Sequence, residues 1–253
     1  MTKRQDKILE ILLEKRQINI NALENILMVS SSIIQKDLNY LYELGFLKYE
    51  NGYIQFLSKE DLSIRMAINY DIKRNIAKSA AETVEDGETV LIESGSCCAL
   101  LAEELASKKQ VTIITNSAFV AGHIRHAPFA KVLLLGGEYQ NSSQVLVGSM
   151  TSKWAEIFIS DKFFVSADGF SKKYGFMGKD HQRAQTARDM ALQAKEVIIL
   201  AESKKFLEGR GEGIVQTEQV SAVFTDEGIL AETEMFLKQK NVEIHKVPVF
   251  KAA

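Results

Sequence analysis

Hydrophobic positions follow two regimes along the chain. Up to residue 57 they recur at helical spacing, with Ile8, Ile11 and Leu12 in one run and Ile34, Leu38 and Leu41 in another, each set falling on one helix face. From residue 88 onward short β-rich runs take over: VLIES at 90–94, VTIIT at 111–115, KVLLL at 131–135, FFVSA at 163–167, VIILA at 197–201, AVFTD at 222–226 and VEIHKV at 242–247. Helix-compatible segments separate most of these runs, and that alternation predicts an α/β unit with a mainly parallel sheet and helices on both faces. Residues 60–86 hold neither Gly nor Pro and predict a helical arm between the two regimes. The expected organisation is therefore a head over 1–57, a helical connector over 58–86 and an α/β domain over 87–253.

Within the head, residues 3–16 predict one helix, Asn19 or Asn21 to Leu27 a second, and Ser30 to Leu44 a third, with the Ser30 hydroxyl as N-cap and Gly45 as the stop. On the third helix Ser32, Gln35, Lys36 and Asn39 share a polar stripe away from the apolar one. The run FLKYENGYIQF then reads as a hairpin, Asn51-Gly52 suiting the positive φ angles of a tight turn. Three helices and a hairpin make a winged helix-turn-helix, whose third helix can enter the major groove of double-stranded DNA. The same stripe also fits a plain solvated face, and residues 1–57 carry seven Lys or Arg against seven Asp or Glu, so no basic field decides between the two readings.

Composition narrows the partners without naming one. The 253 residues are 46% hydrophobic and 25% charged, enough for packed cores, and the formal net charge of −2 gives no general attraction to polyanions. Apolar stretches reach 4 to 6 residues, far short of a membrane span, and the start MTKRQDK has no apolar signal core, so a cytoplasmic protein without a membrane partner is expected. Cys97 and Cys98 are adjacent and alone, which argues against a disulfide framework, and the four histidines form no metal-ligand grouping; no metal or cofactor is expected.

Four small-residue punctuations fall at or just after predicted strand ends: ESGSCC at 93–98, TNS at 115–117, LGG at 135–137 and ADG at 167–169. Ligands of open parallel sheets bind outside the carboxyl ends of the strands, so these loops can converge on one crevice. Glu93-Ser94-Gly95-Ser96 leads straight into a helix, an arrangement that suits a phosphate but also serves for simple chain reversal.

These motifs, in order, resemble the DeoR family of bacterial transcriptional repressors over about residues 3–245. RQDKILEILLEKRQINI, LENILMVS and SSIIQKDLNYLYELGFL resemble its DNA-binding head, with Ser30, Ile33-Ile34, Gln35, Lys36, Asp37 and Leu38 where the family carries Ser, Thr-Ile, two arginines and Asp-Leu. Gln35 and Lys36 in place of two arginines reduce bidentate guanine contacts, and a glutamine suits adenine. The family's Asp-Ser-Gly-Thr-Thr corresponds to Glu93-Ser94-Gly95-Ser96-Cys97, its Thr-Asn-Ser to Thr115-Asn116-Ser117 and its Leu-Gly-Gly to Leu135-Gly136-Gly137. DKFFVSADGF resembles the family strand that ends in glycine, and ESKKF places Lys204 or Lys205 near the family lysine.

The resemblance implies an effector domain similar in fold to ribose-5-phosphate isomerase, with a phosphorylated sugar as effector. It implies effector contacts from Glu93, Gly95, Ser96 and Cys97 in the first loop, and from Asn116, Gly136 and Gly137 in the next two. Asp168, Gly169, Lys204 and Lys205 complete the set. Implied partners are operator DNA read by Ser30, Ser32, Gln35, Lys36 and Asn39, and further copies of the chain in a dimer or tetramer. The expected function is a repressor of a sugar-metabolism operon, with no catalytic residues. The alternative is a sugar-phosphate isomerase carrying a DNA-binding-like appendage. The isomerases place acids after their Asp-Gly motif, whereas Asp168-Gly169 is followed here by Phe170-Ser171-Lys172-Lys173, which favours a binder. Asp161 and Asp168 are expected to flank a strand, Lys179, Arg183 and Arg188 to lie on a solvated helix face, and Trp154, Phe158, Phe163 and Phe164 to serve the core or a subunit contact.

Overall fold

The computed structural model describes residues 2–15, 17–43, 46–56, 62–207, 209 and 211–249. Arg16, Leu44 and Gly45, expected at helix ends, and the first two residues of the arm lie outside the described residues. The chain divides into two compact units, Met1–Tyr70 and Asp71–Ala253.

The first unit runs α1 (Lys3–Lys15), β1 (Gln17–Ile18), α2 (Ile20–Leu27), α3 (Ser31–Glu43), β2 (Leu47–Glu50), β3 (Tyr53–Phe56) and α4 (Leu62–Ala67). Asn19 starts α2 by accepting from the Ala22 amide, and Met28 ends it in the left-handed region at φ 52°. Ile34, Leu38 and Leu41 are fully buried, so the apolar stripe of α3 packs into a core with Ile8, Leu9, Leu12 and Leu23. Ser30 holds the start of α3 differently from expectation. Its carbonyl accepts from the Ile33 and Ile34 amides at 3.0 and 3.1 Å, and its hydroxyl lies 3.1 Å from that of Ser32. Asn51 and Gly52 take φ 51° and 79°, closing the hairpin as their residue types predict. A third strand joins it: β1 pairs antiparallel with β3 through Gln17↔Gln55 and Ile18↔Ile54. Two residues are too short a run for any period to announce.

The arm is two helices. α4 stops at Ala67 and α5 spans Tyr70–Ala81, with Asn69 between them at φ 53°. Asparagine enters the left-handed region more readily than most side chains, so a run free of Gly and Pro can still break.

The second unit continues with β4 (Thr89–Ile92), α6 (Ser96–Lys108), β5 (Thr112–Thr115), α7 (Ala118–His123), β6 (Lys131–Leu134), β7 (Glu138–Gln140), β8 (Val145–Val147) and α8 (Ser149–Ala155). β9 (Ser160–Ser166), β10 (Gly169–Ser171), β11 (Gly175–Gly178), α9 (His181–Ala191) and β12 (Ala194–Leu200) follow. A 3₁₀ turn (Ser203–Leu207), β13 (Glu212–Val215), β14 (Ala222–Asp226), α10 (Ala231–Gln239) and β15 (Glu243–Val247) complete it. The strands expected from the β-rich runs form one seven-stranded sheet in the order β15-β14-β12-β9-β4-β5-β6, every pairing parallel. Asp161 lies inside β9 instead of flanking it, because the strand begins at Ser160. Phe163, Phe164 and Val165 are fully buried in succession, as a strand covered on both faces requires. Two antiparallel additions, β7-β8 and β10-β11-β13, were not expected from the sequence. Among the described residues no helix is long and apolar enough to cross a membrane.

Candidate functional sites

In the first unit, burial of the apolar stripe turns the opposite face of α3 outward. Ser32, Lys36 and Asn39 are exposed, Gln35 is half-buried, and with Ile33 and Arg4 they line one shallow concavity. Gln35 Nε2 donates to Asn39 Oδ1 at 2.9 Å and to the Tyr49 hydroxyl of β2 at 3.5 Å, which ties the helix to the wing. Burial raises the Tyr49 phenol above its ordinary pKa, and the Gln35 hydrogen bond opposes that rise. Ser30 is exposed at the entry to the helix. Asp37 belongs to the buried side, where it pairs with Arg4 Nε and accepts from Gln5 Nε2 at 3.0 Å.

In the second unit the sheet order grows outward from β4, toward β5 and β6 on one side and toward β9, β12, β14 and β15 on the other. The reversal between β4 and β9 is a topological switch point, the place where open α/β sheets bind ligands at the carboxyl ends of their strands. Gly95 sits there, between the end of β4 and the start of α6. Its backbone is extended (φ 177°, ψ 156°), so conformation does not demand glycine. Close approach does: a Cβ at Gly95 would lie 2.1 Å from Ser166 Oγ and 2.5 Å from Ser166 Cβ, at the end of β9. The helix therefore starts against β9 with no side-chain cap, its positive dipole end at the carboxyl ends of β4 and β9.

Around this point the structure gathers charged groups that burial makes costly to leave alone. Glu93 is buried, its Oε1 3.8 Å from Nη2 of Arg183, itself largely buried. Arg183 was expected on a solvated face; Asp180 caps α9 and accepts from the Arg183 amide at 2.9 Å, at the end of the helix nearest Glu93. Arg188 is half-buried and donates to the Gly213 carbonyl. Asp168 accepts from the Lys179 amide at 3.3 Å and stands 3.8 Å from Lys205 Nζ. Glu202, after β12, is buried between Lys204 at 3.2 Å and Lys73 of α5 at 3.6 Å.

Glu93, Gly95, Ser96, Cys97, Asp168, Gly169, Lys204 and Lys205 thus lie at or just after the adjacent ends of β4, β9 and β12. Cys97 and Cys98 are buried, Cys98 Sγ lying 3.3 Å from Ser166 Oγ, so they pack the helix start. Asn116, Gly136 and Gly137 follow β5 and β6 at the same edge of the sheet. Asn116 Nδ2 donates to the Leu146 carbonyl at 3.0 Å, while its Oδ1 is buried with no partner among the described residues. A Cβ at Gly137 would lie 1.9 Å from Thr151 Oγ1 of α8, and one at Gly136 3.5 Å from Trp154 Nε1. Sequence reasoning missed Lys73, Ser166 and the inward turn of Arg183, since each acts on a group more than 65 residues away.

Comparison with known proteins fits these two units. Residues 4–60 match the DeoR-like helix-turn-helix domain and residues 68–227 the DeoR C terminal sensor domain. The regulator GolR of Listeria innocua is 29% identical over 230 residues, covering 89% of this chain and 91% of its own. The transcriptional repressor CsqR of Escherichia coli is 26% identical over 244 residues, covering 95% and 94%. The regulator UlaR of Shigella dysenteriae is 26% identical over 249 residues, covering 96% and 98%. A ribose 5-phosphate isomerase a from Methanocaldococcus jannaschii is similar over 55% of each chain, with a TM-score of 0.40 and 19% identity. A winged helix-turn-helix head followed by an α/β sensor unit defines a DNA-binding transcriptional regulator. The chain belongs to the DeoR family of these regulators.

Proposed function

We propose that this regulator represses a sugar-metabolism operon and that a phosphorylated sugar controls its hold on operator DNA. The observation that carries the reading is the coincidence of the switch point with the Gly95 helix start and with Glu93, Asp168 and Lys205 at neighbouring strand ends. In this reading the first turn of α6 at Ser96 receives the phosphate. Asp168 and Lys205, 3.8 Å apart, receive sugar hydroxyls, acceptor beside donor. The polar stripe of Ser32, Gln35, Lys36 and Asn39 meets base edges and phosphates in the major groove.

Coupling needs a ligand that distinguishes two states, and a tenfold change in operator affinity corresponds to about 1.4 kcal/mol. Glu202 offers a route. It holds Lys204, beside the ligand-facing Lys205, and also Lys73 of α5, the helix the chain enters on leaving the first unit. A ligand that draws on this lysine pair changes what Glu202 gives to α5. Two half-sites bound by a homo-oligomer supply the affinity that one short helix with Lys36 as its stripe's cation lacks.

The test is a titration of operator binding with a panel of sugar phosphates, on the wild type and on Ser96→Asp and Lys205→Ala. Ser96→Asp places a carboxylate where the phosphate is expected and, with its folding checked by thermal melting, is expected to keep effector-free DNA binding and lose the response. A normal response in both variants, to a compound that acts on the wild type, sinks the site assignment. For the isomerase reading, turnover of ribose 5-phosphate that disappears in Asp168→Asn would reverse the ranking; none is expected, because Phe170-Ser171-Lys172-Lys173 offers no acid after Asp168-Gly169.

A further inference from the structure

We propose that Arg4 is a DNA-phosphate contact: a cation supplied by α1 and aimed across the polar face of α3 by Asp37. The proposal rests on the reading that this face of α3 meets DNA.

Charge balance in the head makes placement decisive, because seven cations stand against seven acids over residues 1–57. Two of those cations are spent locally: Lys7 pairs with Glu10 at 3.0 Å and Lys48 with Glu50 at 2.7 Å. Arg4 is paired in another way. Only its Nε meets the Asp37 carboxylate, and among the described residues nothing accepts from its two terminal nitrogens. A guanidinium has five N–H donors in a planar fork, so the edge left over is the one that grips a phosphate in bidentate fashion.

Exposure divides the pair in the same sense. The Asp37 side chain is 6% exposed and the Arg4 side chain 38%, so the acid lies inside and the cation outside. The other carboxylate oxygen of Asp37 accepts from Gln5 Nε2 at 3.0 Å, which fixes the acid from a second direction. The outer end of Arg4 opens on the concavity lined by Ser32, Ile33, Gln35, Lys36 and Asn39. Arg4 and Lys36 therefore place cations from two different helices on one polar surface.

The experiment measures the salt dependence of binding to a fluorescein-labelled duplex that spans the DNA upstream of the protein's own coding sequence. Full-length wild type, Arg4→Gln, Asp37→Asn, Lys36→Ala and the double variant Arg4→Met with Asp37→Asn are compared, each checked by thermal melting. Arg4→Gln removes the charge but keeps an amide donor for Asp37, and the double variant leaves no carboxylate stranded. Each phosphate contact contributes about 0.9 to the slope of log K against log salt. Arg4→Gln and the double variant are expected to lose about that much, so their deficit against wild type shrinks about 3.5-fold when salt rises fourfold. Asp37→Asn keeps the cation and, through its amide oxygen, an acceptor for Arg4 Nε, so it is expected to keep the slope. A wild-type slope in the folded Arg4 variants, with Lys36→Ala reduced, overturns the proposal and leaves the α3 reading intact. A wild-type slope in all of them, Lys36→Ala included, overturns both.

Discussion

Replacing Gly95 by alanine tests whether the crevice at the switch point is built by close packing. The methyl group would arrive 2.1 Å from Ser166 Oγ and 2.5 Å from Ser166 Cβ, with Cys98 Sγ next at 3.8 Å. Since the backbone is extended there, alanine meets no conformational strain and the whole cost is steric. Ser166 cannot retreat far, because it ends a central strand whose Phe163, Phe164 and Val165 are fully buried. Overpacking of this kind costs roughly 1–3 kcal/mol. At about 2–4 °C per kcal/mol for a unit of this size, the melting temperature should fall by roughly 2–12 °C. Ser166→Gly alone should cost about 1 kcal/mol, as glycine in a strand does. It also removes both clashing atoms, so the double variant should be more stable than the sum of the two losses by about 1 kcal/mol or more. Thermal melts of wild type, both single variants and the double variant give that coupling directly. Strict additivity would refute the packing argument. Gly95→Asp carries the same clash, so a lost ligand response in that variant says nothing about a phosphate.

Lys36→Ala should weaken binding to all duplexes alike and lower the salt slope by about 0.9, whereas Gln35→Ala should relax preference at one base position by roughly 1–3 kcal/mol. Binding assays across operator variants separate the two patterns, and wild-type behaviour from both variants would remove α3 as the reader. Asp161 is held below the ordinary carboxylate pKa by its hydrogen bond from Lys195 and then by that from the Thr89 amide. Because its folded value is depressed, the stability it contributes is present above its unfolded pKa, near 4, and is lost as pH falls through the folded value. Asp161→Asn should therefore lower stability at neutral pH and flatten the acid limb of the stability profile. Urea midpoints that fall in parallel with wild type down through the carboxylate range would contradict this.

The sheet was legible because its inner strands are mostly buried and read as short apolar runs, separated by enough chain for a crossover, while the edge strands β6 and β15 are largely half-buried or exposed. The added antiparallel strands were not. β10 is only Gly169–Ser171 and β11 is Gly175–Gly178, with glycine at the ends and no alternation to count, so they exist through tertiary pairing with each other and with β13. The helices of the head were legible for the same reason as the sheet, since a stripe such as Ile34, Leu38 and Leu41 has one period and one place to go. The break at Asn69 escaped because asparagine carries no obligation to leave a helix.

For the candidate sites, what the sequence revealed was position along the chain. The loops after β4, β9 and β12 could be ordered, and parallel topology brings their ends to one edge. What it hid was the partner of each side chain. Gly95 reads in one dimension as a glycine near a phosphate; the 2.1 Å approach to Ser166 adds a packing demand for glycine that the sequence does not carry. Arg183 looks like surface until Glu93, 90 residues earlier, is found buried beside it. Asp37 looks like part of a DNA-reading motif until its carboxylate is traced to Arg4 and Gln5 on another helix. In each case the informative quantity is a distance between residues remote in sequence, and it is fixed by the packing of whole elements. A single acid in a polar helix can thus act by aiming a cation it does not itself supply, and a single sequence gives that cation no mark of its own.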